Sequence, residues 1–374
     1  MVSVTVLLIV IAGALTTFRN ALDVNETANQ IADSSQNLRA GTNQLVRDLM
    51  MAGRIIAGSG VPAPNGAGAA PIARPGPPGT NLNFSFIADA DGTLILPSIT
   101  TGYHLGPQVN TSPTDIVTIL TVDEFMPVIQ GIGSGAPAGL QGLIANDASR
   151  VTLPATSPWL VGDAAEDTPP INVGDLVLFK NENGMAMQTV TSKDATNIYF
   201  AENSPQDWFH FNQRNTSYRG TVFCIKEDPA DPTILGCTTM PVTAAFVNAA
   251  FPPTALLRVL MITYYVDALT TPTTPRLTRV VNHFAPQALA GVVEDLNLTY
   301  DLVDSSNNIS AVTSLPHTVN GVTYTSSMIK KVNIHIGVRS ESLSLPAQDY
   351  VRNHISTSVD VRSLASVDRY DTSQ

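Results

Sequence analysis

The chain has 374 residues, enough for two or three compact units. Only 14% of them are charged, and the formal net charge is −11. Its 20 Lys and Arg are scattered, so the chain cannot neutralise a row of phosphates, which disfavours nucleic acid and anionic lipid headgroups as electrostatic partners. The 26 Pro and 25 Gly, among many Thr, Asn and Ser, predict short strands joined by turns.

The first eighteen residues, MVSVTVLLIVIAGALTTF, carry no charge and end against Arg19. Ala12, Gly13 and Ala14 would suit a signal-cleavage site, but no Lys or Arg precedes the apolar run. Its length is at the lower limit for a helix that spans a bilayer. Behind it, Ala28, Ile31, Ser35, Leu38, Thr42, Leu45 and Leu49 recur at steps of three and four, one stripe on a helix. A removable signal has no reason to continue in phase into such a stripe. One helix is therefore predicted over residues 1–57, about 85 Å long at ~1.5 Å per residue. Val4, Val6, Leu7, Leu8, Ile9, Val10, Ile11 and Leu15 form its end for a membrane or a helical bundle. Ile31, Leu38, Leu45 and Leu49 form the face that packs on a globular head. The plainer alternative is a single-pass anchor with a coiled stalk.

Residues 58–81 are nearly all Gly, Pro and Ala and read as a linker or surface crossover. Residues 82–374 then form a β-rich head. NFSFIADADGTLILP reads as a hairpin turning at Asp91 and Gly92; Asp89 and Asp91 lack the further ligands of a calcium loop. TDIVTILTV is a core strand, and the Gly-rich QGIGSGAPAGLQG is a loop, not a phosphate cradle. GDLVLF, MAMQTVT, NIYFAE and GTVFCI predict a small inserted β subdomain over about residues 150–240. Trp208, Phe209 and Phe211, in SPQDWFHFN, form the most aromatic patch: either a surface for sugar or a partner, or a loop folded onto the core. Cys224 and Cys237 flank a Pro-rich acidic turn, and a disulfide is expected between them, in an oxidising compartment. LLRVLMITYYVDA pairs with TRVVNHF, LAGVVEDLNLTYDLVD turns into another strand, and residues 330–340 and 351–362 supply the last two. The fold class expected is α+β: a long N-terminal helix packed on one antiparallel sheet.

No HExxH, GxSxG or CxxC pattern occurs, and the six His are scattered. The neighbouring carboxylates Asp123–Glu124 and Glu294–Asp295 read as surface turns. No catalytic residue, metal site or cofactor is expected.

Several stretches, in order, resemble one family. NLRAGTNQLVRDLMMAGR, SPTDIVTIL, INVGDLVLFKNENGMAMQTVT, ITYYVDA, PRLTRVVNHFAPQALAGVVEDLNLTYDLVD, KKVNIHIGVRS and YVRNHISTSVDVRS are similar to successive segments of PilW-type minor pilins of type IV pili. The resemblance implies a non-enzymatic subunit that primes or caps pilus assembly, with possible adhesion by the head. The partners it implies are other minor pilins, the major pilin, the inner-membrane assembly platform and, before assembly, the lipid bilayer. It further implies a periplasmic head on an inner-membrane helix, and a place on the cell surface once assembled. The family carries a basic leader and a Glu-containing start; MVSVTVLLIVIAGAL resembles the part just after that Glu, so a start upstream of Met1 is expected. A large-headed, J-like pseudopilin of type II secretion is the alternative within this machinery. From another class, the alternative is a membrane-anchored carbohydrate-binding protein or hydrolase.

Overall fold

The computed structural model describes residues 2–56, 60–64, 71–80, 82–84, 87–88, 94–133, 142–164, 168–214, 220–226, 249–304, 308–344 and 349–361. The architecture is α+β, with one long N-terminal helix and many antiparallel strands. Helix α1 runs Val2–Met50, 49 residues, with Arg47 placed favourably in its last turn. It stops short of the predicted residue 57. Gly53 takes a φ of 71°, and its N–H leaves the helical ladder to donate to Leu120 O at 2.9 Å. Gly53 is a local stop signal, and its contact with the sheet fixes the end of the helix here.

The strands of two main sheets are numbered here. The first, eight-stranded, contains β1 (Ile99–Thr100), β2 (Val117–Val122), β3 (Ile129–Ile132), β4 (Leu176–Asn181), β5 (Gly184–Thr189), β6 (Thr254–Asp267), β7 (Arg276–Val281) and β8 (Gln287–Ala290). Strand β6, 14 residues long, is its spine: β4 and then β7 pair along one edge, β3 and then β2 along the other. The second sheet has the order β10–β9–β11–β12, where β9 is Val293–Val303, β10 Asn308–Val312, β11 Ile329–Ser344 and β12 Asp349–Asp360. The expected single sheet is thus two, and α1 lies across both. The chain passes from one to the other between β8 and β9, where the helical or irregular turn expected in LAGVV is a two-residue irregular bend at Gly291 and Val292.

The stretch expected as an inserted subdomain is shared out. GDLVLF and MAMQTV join the first sheet as β4 and β5. A separate four-stranded sheet (Leu143–Ile144, Arg150–Thr152, Asn197–Tyr199, Ser192–Lys193) closes over a core built around Trp159, Phe179 and Phe200. GTVFCI is not a strand: Val222–Ile225 is one turn of 3-10 helix, buried in that core. Apolar periodicity over so short a run cannot separate the two.

The Gly/Pro-rich stretch is not a solvated linker where it is described. Val61 and Ile72 are fully buried, and Arg74 is buried beside them in sequence. The Arg74 guanidinium donates to Thr118 Oγ1 at 2.7 Å and to the carbonyls of Thr100, Thr101 and Ile116. Burial lowers its pKa to about 10. The segment is pinned to the first sheet by a side chain that donates to backbone oxygens around the end of β1 and the start of β2.

Candidate functional site: the projecting helix and its seat

The sequence stripe on α1 meets the head from Leu38 onward. Leu38, Leu45, Leu49 and Ala52 are buried in one core with Ile262, Tyr264 and Leu277 of the first sheet and Leu296, Ile334 and Ile336 of the second. Each buried Leu contributes ~1.5–3 kcal/mol. Ile31, expected in the same seat, is 43% exposed and lies outside it. The hydroxyl of Thr42, also in the stripe, is satisfied internally by Leu38 O at 2.8 Å.

Three further residues complete the seat. Gly41 faces β8 so closely that a Cβ there would lie 2.9 Å from Ala290 Cβ and 3.3 Å from Leu277 Cδ2. Absence of a side chain is what lets helix and sheet approach. Asp48, 5% exposed, accepts from Tyr264 OH at 2.6 Å and from Arg279 Nε at 2.7 Å through Oδ2, while Gln44 Nε2 donates to Oδ1 at 3.1 Å. Burial, then the charge and hydrogen bond of Asp48, push the Tyr264 hydroxyl far up. Burial pulls Arg279 down, but the bond to Asp48 outweighs it and the net shift is upward. The three side chains form a polar bolt inside an apolar contact. Sequence reasoning missed Gly41, Asp48 and Arg279, although Gly41, Leu45 and Asp48 share one helix face at steps of four and three.

The other end of α1 projects. Val4, Leu7, Leu8, Val10, Ile11, Leu15, Phe18, Leu22 and Val24 are between 45% and 67% exposed. Val6 and Ile9 belong to the same helix, but their side chains lie outside the described residues. Thr16 and Thr17 turn their hydroxyls back onto Ala12 O and Gly13 O at 2.8 and 2.9 Å, which removes two demands for water from this end. Gly13 has open space where a side chain would be. An apolar rod end of this size marks an interaction surface. Among the described residues, no helix is long and apolar enough to cross a membrane.

The aromatic patch is not an open platform. Phe209 and Phe211 are buried, because the Asp207 carboxylate accepts the N–H groups of Phe211 and Asn212 and Asn212 Nδ2 donates to Thr189 O. Trp208 stacks on His283 with ring centroids 3.9 Å apart, and a Cβ on Gly174 would stand 2.4 Å from its ring. Of the two expected alternatives, Phe209 and Phe211 follow the loop folded onto the core, while Trp208 is half-buried. Of the proposed disulfide, Cys224 is buried in the 3-10 turn, and Cys237 lies outside the described residues. So do Asp89 and Asp91.

Arginines hold three of the four neighbouring carboxylates. Asp123 stands 3.6 Å from Arg258, Glu124 pairs with Arg54, and Glu294 takes both Arg339 and Arg352 at 3.3 and 2.9 Å. Asp295 accepts from Asn297 Nδ2 and stands 3.8 Å from His335 Nε2. Glu294 and Asp295 sit at the start of strand β9, not in a turn; the register against β11 shifts between Val293 and Asp295, and both carboxylates meet residues of one face of β11, Arg339 and His335. Compared with protein-family models, curated proteins and solved structures, the chain matches none.

Proposed function

We propose that this chain is a minor pilin of the PilW type, incorporated through α1 into a type IV pilus. The observation that carries the proposal is the division of one continuous helix. From Leu38 on it is locked into the head; over Val4 to Val24 its described apolar side chains face solvent. An isolated chain gains nothing by keeping such an end in water, so the helix is suited to a bundle of other helices that supply the missing cover. The mechanism is non-covalent: α1 exchanges a lipid surroundings for the helices of neighbouring subunits while the head remains outside the bundle. Neighbours are other minor pilins and the major pilin, and the inner-membrane platform supplies the subunit with its head on the periplasmic side. The resemblance of ordered segments from residues 37–54 to 350–363 supports the choice of this branch.

The test is genetic and microscopic. The gene is deleted in its own host, and surface pili are counted by electron microscopy. Complementation with the full chain should restore them, whereas Leu8→Asp, which places a charge on the projecting end, should not. Unchanged piliation after deletion, with no defect in surface motility, rejects the assignment.

A further inference from the structure

Ile334 and Ile336 of β11 point into the core beneath α1, so His335 and Gly337 face the other side of the second sheet. Register across three strands arranges that outer face in rows. Asn297, His335 and Ser356 stand abreast in one row, and Asp295, Gly337 and His354 in the next. Gly337, in the middle of its row, has no side chain, and a Cβ there would stand 3.3 Å from Asp295 Cβ. A glycine inside a strand opens the surface to close approach by another group. Asp295, His335 and His354 are the residues at the rim of this hollow.

The rim is held in place by its neighbours. The rings of His335 and His354 have centroids 5.7 Å apart and planes tilted by 36°. His335 Nδ1 lies 2.9 Å from Ser356 Oγ, which fixes the ring and turns Nε2 toward Asp295. The gap from Nε2 to Asp295 Oδ2 is 3.8 Å, too long for a hydrogen bond. Asn297 Nδ2 donates to both oxygens of Asp295, at 2.9 and 2.8 Å, and holds the carboxylate. The nearby guanidinium groups are engaged elsewhere: Arg339 with Glu294, and Arg352 with Glu294 and Asp349. Two imidazoles on one ion, with metal–nitrogen bonds of about 2.0–2.1 Å, set their ring centroids roughly 4.5–6.3 Å apart according to the bond angle. The separation of His335 and His354 falls within that span.

We infer that His335 and His354 clamp a borderline divalent ion of the Zn²⁺, Ni²⁺ or Cu²⁺ class over Gly337, with Asp295 supplying negative charge beside it. Imidazole nitrogen is a ligand these ions favour. Ser356 serves His335 as outer partners serve ligating histidines, by fixing the ring and the nitrogen that faces the ion. Among the described residues no three His, Cys, Asp or Glu side chains already converge to hold an ion, so the clamp is the two imidazoles and water completes the shell. The bound ion would tie β11 to β12, the outermost strand of the sheet. This site goes beyond the pilus reading and does not depend on it. Linear spacing gave no sign of it, because its two ligands meet only through strand register.

Calorimetric titration of the full chain in detergent with ZnCl₂ and NiCl₂ at neutral pH tests it, with the melting temperature followed in parallel. Either ion should bind and raise the melting temperature by mass action on the folded state. His335→Ala and His354→Ala should each lower the affinity at least about tenfold, and Ser356→Ala about tenfold. His317→Ala, in the short hairpin 317–324, should leave it unchanged. His354 and Ser356 are exposed and His335 is 42% exposed, so these variants should fold, which unchanged circular dichroism checks. Electron paramagnetic resonance of the Cu²⁺-loaded chain gives an independent readout: two imidazole nitrogens in the wild type and one in either histidine variant. No binding of any of the three ions, affinity unchanged by His354→Ala, an equal loss on His317→Ala, or a wild-type spectrum with a single nitrogen overturns the inference.

Discussion

At the scale of single residues, two buried charges set contrasting expectations. Asp48 is held by a tyrosine and an arginine that have no other carboxylate within the seat, so its removal strands Arg279 at a half-dry surface. Asp48→Ala should cost about 3 kcal/mol, read as a lowered urea midpoint. Asp48→Ala combined with Arg279→Met should recover part of that loss, because no charge is then left without its partner. Lys226 is the opposite case. Its ammonium donates to Asn146 O at 2.6 Å and lies 5.0 and 5.1 Å from the centres of the Phe223 and Phe251 rings. Burial pulls its pKa down to about 8, against an upward pull from Asp147. The folded state therefore binds this proton more weakly than the unfolded chain does. The penalty is complete below about pH 8 and is relieved as pH rises toward 10.5. The melting temperature of the wild type should rise relative to that of Lys226→Met across this window; a constant difference between the two rejects the assignment.

At the scale of the helix, equal substitutions at its two ends should have unequal effects. Leu45 is fully buried between the sheets, and Leu45→Ala should cost roughly 3 kcal/mol through lost transfer energy and an unfilled cavity. Leu8 is 61% exposed, and Leu8→Ala should change stability by less than about 0.5 kcal/mol. Thermal unfolding of the two variants side by side checks both numbers. If Leu8→Ala destabilises as strongly as Leu45→Ala, the projecting end has a seat in the isolated chain and is not free for partners. The stripe itself was legible, since a three–four spacing is a property of one helix and needs no knowledge of the rest of the fold. Its limits were not. Ile31 obeys the spacing as well as Leu38 does, but before Leu38 the second sheet meets the helix through polar contacts, Asn353 with Ser35 and Ser342 with Gln30, and leaves Ile31 exposed. The helix ends at Met50 because Gly53 finds a strand carbonyl from residue 120.

At the scale of the whole molecule, the expected bond between Cys224 and Cys237 can be read directly. The intact mass of unreduced protein should rise by two hydrogens on reduction, and Cys224→Ala should lower stability by about 3 kcal/mol under oxidising conditions. An unreduced mass with both thiols alkylated rejects the pairing. The α+β class, the rod-like start and the long strand pairs around residues 254–281 and 329–360 followed from periodicity and turn chemistry, which act over a few residues. Local patterns by themselves determined that a helix, apolar all round at one end and striped at the other, precedes a β head. Tertiary structure alone decided that the strands divide into two sheets with α1 across both. It also decided that the Gly/Pro-rich stretch is tied down by Arg74 and that Phe209 and Phe211 face inward. Those outcomes depend on which distant surfaces and hydrogen-bond partners are within reach once the chain has closed, and no window of neighbouring residues contains that information.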